Sequence, residues 1–192
     1  MNSLHFVVAA LFSVVLVAGF SSPPATYQTQ KTSLPPDQAL IKKGEYLVAI
    51  MGCGDCHSPK MMGPQGPEPV ASRLLSGYPA DRPVAARNAD ALKDWVLFNG
   101  DNTAAAGPWG VSFAANLTSD ATGIGNWSED QFKRALTQGK YKGIATNRSL
   151  LPPMPWPNYR TMKDEDIKAV FAYLKSTKPV ANVVPAPIPP SH

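Results

Sequence analysis

The sequence predicts a domain of few helices joined by long, ordered loops. Proline supplies 20 of the 192 residues, about twice its ordinary share of ~5%, and glycine supplies 14 more. Against that background, only three segments combine 3.6-residue apolar periodicity with clear helix start and stop signals. Apolar residues make up 44% of the chain, enough for a core, and the net charge of +4 is mild. That charge reads as solubility, or as steering toward an acidic partner. No basic run is long enough to bind nucleic acid.

Phe6 to Phe20 is an apolar stretch broken only by Ser13. It is shorter than the ~20 residues a spanning helix needs and suits the apolar region of an export signal. Residues 1–21 are therefore read as a signal peptide, with small residues at Gly19 to Ser22 for cleavage. Met1 to His5 carry no Lys or Arg, and an uncleaved anchor is the alternative. Residues 22–36, with Pro23-Pro24 and Pro35-Pro36 around a Ser/Thr/Gln-rich stretch, read as a flexible linker.

Asp37 is expected to cap the first helix, whose one face carries Leu40, Gly44, Leu47, Val48 and Met51. Gly44 costs about 1 kcal/mol in a helix interior relative to Ala, which suggests a close helix crossing. Ser58 to Pro69 is too rich in Pro and Gly for a helix and reads as loop. Asn88 to Asn99 fits either a short helix with Leu92, Trp95 and Val96 inward or an extended segment through Trp95 to Phe98. Ala104 to Asp120 again reads as loop. The following helix is the best signed: Ser128 caps it, Gln131 completes a capping box, Trp127 and Phe132 hold the staple positions, and Gly139 stops it. Leu150 to Pro157 is extended, and the last helix spans Asp164 to Ser176 with Ile167, Val170, Phe171 and Leu174 inward. Residues 181–192 read as a Pro-rich disordered tail.

Chemistry concentrates in Cys53-Gly54-Asp55-Cys56-His57. The spacing C-x-x-C-H is that of covalent haem c attachment: one helical turn brings both sulfurs to the two vinyl groups, and the histidine ligates the iron. A redox dithiol or half of a zinc site are the bland alternatives. Zinc is weakened because these are the chain's two cysteines and the other histidines, His5 and His192, sit at its ends. A redox pair has no use for His57. The cofactor reading is one haem c, held through Cys53 and Cys56.

The same count of histidines leaves methionine as the second axial ligand, a choice that raises the reduction potential. Met51 lies on the proximal side, Met61 and Met62 follow His57 closely, and Met162 suits packing at a helix entrance. Met154 sits between rigid prolines, in Pro152-Pro153-Met154-Pro155, which lowers the entropy cost of holding a weak thioether bond. His57 and Met154 are thus the expected iron ligands.

Together with the C-x-x-C-H motif, "ANLTSDATGIGNWSEDQFKRALTQGK" and "LPPMPWPNYRTMKDEDIKAVFAYLKS" resemble class I c-type cytochrome domains. They are similar in particular to the haem domains in cytochrome c subunits of alcohol and aldehyde dehydrogenases. The resemblance covers residues 37–180 and implies an all-α cytochrome c fold wrapped around one haem. It also implies that the first and last helices cross at Gly44, with Tyr173 or Phe171 nearby. Those subunits carry several C-x-x-C-H motifs and this chain has one, and Lys163 stands where a capping Thr is common.

The function expected is an exported, periplasmic or membrane-anchored electron carrier rather than an enzyme, since a methionine-closed iron has no open position. Its partners are redox proteins, a dehydrogenase or an oxidase or reductase, with the N-terminal segment as the route to a membrane. Arg148 and Asn116 are candidate haem-propionate partners. The alternatives are a haem subunit of a larger respiratory or dehydrogenase complex, and a haem enzyme or sensor with an open iron.

Overall fold

The computed structural model describes residues 36–86 and 90–190. The segments read as export signal and linker, with His5 and His192, lie outside the described residues apart from Pro36. Helix α1 spans Pro36–Ile50, α2 Cys53–His57, α3 Glu129–Gln138 and α4 Asp164–Ser176. Among the described residues, no helix is long and apolar enough to cross a membrane.

The all-α expectation is overturned. Strands β1 (Lys60–Gly63) and β2 (Gly66–Pro69) form a hairpin. Strands β3 (Leu97–Phe98), β4 (Ala104–Gly107) and β5 (Gly110–Phe113) form a second antiparallel sheet in that order. Both hairpins close on the same four-residue pattern, Gly63-Pro64-Gln65-Gly66 and Gly107-Pro108-Trp109-Gly110. Proline presets the first turn residue, and Gly66 and Gly110 take φ of 121° and 90°. Chain folded around an apolar cavity must satisfy its backbone groups without water, and the reversed segments do so by pairing. Pro67 and Pro69 are tolerated because β2 is an edge strand.

Of the two readings of Asn88 to Asn99, the extended one fits better: among the described residues Ala91–Lys93 form one helical turn, Leu97–Phe98 are a strand and Trp95 is 70% exposed. A further expectation is corrected. Residues 181–190 are not a disordered tail but a strap laid across the body. Asn182 donates through Nδ2 to the carbonyls of Ser76 (2.7 Å) and Tyr78 (2.9 Å) and accepts from Ala80 N–H at 2.8 Å. Further along, Ile188 and Val111 exchange both backbone hydrogen bonds, at 2.8 and 3.0 Å. Prolines remove donors but not acceptors, so the strap is held by its non-proline residues and by side chains reaching to it.

The core lies where α1 crosses α4. Val48, Ile167, Val170 and Leu174 are buried there together with Phe132 and Leu136 of α3, each worth about 1.5–3 kcal/mol of apolar burial. Gly44 is buried against α4, where an added Cβ would meet the carbonyl of Ala169 and stand 2.7 Å from Tyr173 Cβ. The phenyl rings of Phe132 and Phe171 pack at 5.3 Å between α3 and α4. Helix α1 begins at Pro36, so Asp37 occupies its first turn rather than its cap. In α3, the Ser128 side chain accepts from Gln131 N–H at 3.1 Å and Gly139 ends the helix at φ 64°. The reciprocal half of the capping box does not form, because Gln131 Nε2 donates to the Lys142 carbonyl instead. Lys163 precedes α4 without a side-chain cap, and three acids fill the first turn.

Candidate functional site

Gly52, at φ 67°, breaks α1 from α2 and turns the chain so that the Cys53–His57 turn begins a new direction. Helix α2 is one short turn, and it places Cys53, Cys56 and His57 on the wall of a single cavity. That cavity has a volume of 230 Å³ and is walled by Phe132, Leu136, Val170 and Leu174 of the core, by Ala104 and Ala105 of β4, and by Met154. Both cysteines are free thiols. Burial pushes the Cys53 thiol up to about 11. It raises Cys56 as well, opposed there by the charge of Lys60. Both are therefore neutral thiols near neutral pH.

His57 is partly buried on the cavity wall, and this burial pushes its pKa below the ordinary value. Its Nδ1 lies 2.7 Å from the Ala115 carbonyl. A carbonyl only accepts, so Nδ1 carries the proton and Nε2 keeps a lone pair for a ligand. The acceptor is itself held in place. Gly77 N–H donates to the His57 carbonyl at 2.8 Å, and Tyr78 N–H donates to Ala114 at 3.0 Å. Gly77 has φ 76°, and an added Cβ would stand 2.6–2.7 Å from the carbonyl group of Ala115. Nothing in the local sequence marks Ala115, because the partnership joins residues 58 positions apart.

Met154 enters the cavity wall on a segment hydrogen-bonded just before it and packed just after it. Leu150 N–H donates to the Gly139 carbonyl at 2.6 Å, and Ser112 Oγ donates to Pro152 O at 2.5 Å. Trp156, just beyond, packs against Gly139, where no side chain would fit, and Arg160 stacks on its indole at 4.5 Å. Among the other methionines, Met51 also lines the cavity. Met61 and Met62 are 63% and 78% exposed on β1, and Met162 packs on the core without reaching the cavity. Tyr159 lines the same wall. Among the described residues, no group of three His, Cys, Asp or Glu is placed to hold a metal ion.

The two residues expected to meet propionates differ. Asn116 is buried and committed: its Oδ1 accepts from Thr118 N–H and Oγ–H at 2.9 and 2.8 Å, and its Nδ2 donates to Val180 O at 2.8 Å. It holds the strap. Both residues line a second cavity beside the first, where the exposed Arg148 lies over the Tyr141 ring at 4.2 Å.

A network missed in the sequence braces the motif from outside. Lys60 Nζ bonds to the carbonyls of Asp55, Ser58 and Asp101, the first two at the end of α2. The Asp101 carboxylate is buried and pairs with Arg82 at 2.7 Å. Burial pushes its pKa up, but hydrogen bonds from Thr103, Arg82 and backbone amides outweigh that, and the net direction is down.

No family model matches the chain. It is 33% identical over 147 residues to the gluconate 2-dehydrogenase cytochrome c subunit of Pantoea cypripedii, covering 76% of this chain and 25% of that one. Over the same length it is 29% identical to the cytochrome c subunit of the quinone alcohol dehydrogenase of Gluconobacter oxydans, covering 76% and 23% of the two chains. With the fructose dehydrogenase cytochrome subunit of Gluconobacter japonicus it shares 28% over 173 residues, 89% and 28% of each. The chain thus spans about a quarter of the length of these curated relatives. Across most of its own length, it resembles a haem domain of the cytochrome c subunits of bacterial dehydrogenases.

Proposed function

We propose that the protein is an exported, monohaem c-type cytochrome that carries single electrons to or from a dehydrogenase. The observation that carries this reading is one apolar cavity whose wall includes Cys53, Cys56, His57 and Met154 together. In this reading Cys53 and Cys56 would hold the haem through thioether bonds, and His57 Nε2 and Met154 Sδ would be its iron ligands. When bound, the haem supplies a one-electron Fe(III)/Fe(II) couple.

The chain's own residues supply the conditions for that couple. The Ala115 carbonyl fixes the His57 tautomer and adds basicity to Nε2. Ser112 and Gly139 hold the segment before Met154 by hydrogen bonds, and Trp156 packs on Gly139 after it, so a weak thioether ligand would lose little entropy on bonding. Leu136, Val170 and Leu174 exclude water, which disfavours the more highly charged oxidised state. With His57 and Met154 both holding the iron, no open position would be left for substrate. The dehydrogenase as partner is supported by the relatives, all three of which are named as dehydrogenase subunits. Export is supported by the apolar run Phe6 to Phe20.

The test is mass spectrometry of the protein produced with a periplasmic haem-attachment pathway. The account expects the chain to be heavier by one haem that survives denaturation, with attachment lost when both Cys53 and Cys56 are changed to Ala. A wild-type chain exported at its bare mass contradicts it.

A further inference from the structure

A short bridge of chain, Leu75 to Tyr78, joins the end of α2 to the segment that carries Ala115. Toward α2, Leu75 N–H donates to Ser58 Oγ at 3.0 Å and Gly77 N–H to the His57 carbonyl at 2.8 Å. Toward the other segment, Tyr78 N–H donates to Ala114 O at 3.0 Å, and Leu75 O accepts from Leu117 N–H at 2.8 Å. The bridge is strained. Leu75 stands at φ 59°, a left-handed conformation that residues with a side chain rarely adopt. Such a conformation persists where the surrounding structure holds it.

Asn182 of the strap supplies part of that hold. Its one carboxamide spans the carbonyls of Ser76 and Tyr78 and the N–H of Ala80, at 2.7, 2.9 and 2.8 Å. Ser76 and Tyr78 are buried, so carbonyls released there would lack a ready partner. The strap grips the Ala115 segment as well. Asn116 Nδ2 donates to Val180 O at 2.8 Å, and Val180 N–H donates to Thr118 Oγ1 at 3.2 Å. Asn182 N–H itself donates to Thr122 Oγ1 at 2.9 Å. The two ends of the His57 Nδ1–Ala115 hydrogen bond are thus tied a second time, through the bridge and the strap. Asn182 lines neither cavity, so it acts at a distance from the iron site.

We propose that Asn182 is a positioning residue for His57: by fixing the bridge and the Ala115 segment to each other, it sets how the Ala115 carbonyl meets Nδ1, and so the donor strength of Nε2. This rests on the haem reading above and gives the strap a part in tuning the iron.

The test uses the full-length holoprotein as wild type, Asn182→Ala, Asn182→Ser and Ser128→Ala. The last removes the cap of α3, which loosens the fold away from the bridge. Haem content is measured first by mass. The exchange rate of the His57 Nδ1 proton is then read by magnetic resonance and the midpoint potential by spectroelectrochemical titration. A loosened Ala115 contact leaves Nε2 a weaker donor, which stabilises oxidised iron less. Asn182→Ala is therefore expected to speed exchange of the Nδ1 proton and to shift the Fe(III)/Fe(II) ratio toward Fe(II) by about threefold at fixed ambient potential, about 28 mV for one electron. Asn182→Ser keeps one hydroxyl and falls between, while Ser128→Ala keeps the wild-type values. In wild type, the Nδ1 proton is expected to exchange through the same local opening as the Ala80 amide, ahead of the amides of α4. Haem-loaded Asn182→Ala with wild-type exchange and potential overturns the proposal and leaves the haem reading intact. Equal changes in Ser128→Ala overturn it too, since general loosening would then suffice. A wild-type Nδ1 proton that exchanges only together with the α4 amides overturns it without any variant. A wild-type chain that takes no haem removes the underlying reading itself.

Discussion

Gly44 of α1 lies directly against the Ala169 carbonyl of α4, backbone to backbone, with Tyr173 closing the contact. A hydrogen at this Cα is the largest group that fits. The crossing brings Val48 onto Ile167 and Val170 in the core, and α1 in turn delivers the chain to Gly52 and the Cys53 turn. Gly44→Ala gains about 1 kcal/mol of helix propensity, but overpacking typically costs about 1–3 kcal/mol, and here the obstacle is backbone that cannot rotate away. The expected outcome is a net loss of stability, with the melting temperature falling by several degrees, at about 2–4 °C per kcal/mol for a chain of this size. Thermal unfolding followed by circular dichroism checks this.

Gly77→Ala is expected to be more damaging to the site than to the core. The residue has φ 76°, which costs an L-residue about 1–2 kcal/mol, and its Cβ would press on Ala115. The carbonyl that orients His57 would move. Unfolding measurements should show the stability loss, and the haem-loaded variant should show a changed proximal-histidine environment by magnetic resonance.

Asp101 gives a pH dependence with a definite sign. Its carboxyl titrates below the ordinary value of 3.8 in the folded chain. A depressed folded pKa contributes stability that is present above about 3.8 and lost as pH falls through the folded value. Asp81 and Asp120 are lowered as well and add to the same acid limb. Asp101→Asn should lower stability at pH 7, because Arg82 and the backbone N–H of Lys60 lose their carboxylate acceptor, and should flatten the decline below pH ~4. Urea titrations between pH 2 and 7 measure both effects.

Asn182→Ala removes three hydrogen bonds that fasten the strap. At about 0.5–1.5 kcal/mol each, the strap should open locally before the body unfolds. Hydrogen exchange should speed up at Ile188 and Val111 while the amides of α4 keep their protection.

How much of this was legible in the sequence depended on the range of the interactions. Ser128, Gly139 and the acids of α4 act within one helical turn, and the ends of α3 and α4 were read correctly from them. The Gly44 crossing was legible too, because an interior glycine is costly without a close neighbour. The sheets were missed because Ala104-Ala105-Ala106 has little strand propensity and the prolines around β2 suggested irregular chain. The repeated Gly-Pro-x-Gly turn was the available signal. The strap was missed for another reason: its order comes from Asn116 and from Ser76 and Tyr78, whose partners lie more than 60 residues away. Cys53, Cys56, His57 and Met154 stand out in the sequence by motif and by flanking prolines, but Ala115, Ser112 and Lys60, which contact their segments, carry no motif.

The most direct test of the central claim is the absorption spectrum of the exported holoprotein, oxidised and reduced, with carbon monoxide added to the reduced form, for wild type and Met154→Ala. The account predicts a low-spin wild type with the weak far-red methionine–iron band and no response to carbon monoxide. In Met154→Ala, that band should vanish and carbon monoxide should bind. A high-spin wild type, ready carbon monoxide binding by it, or a far-red band that survives in Met154→Ala would contradict a His57/Met154-closed electron carrier.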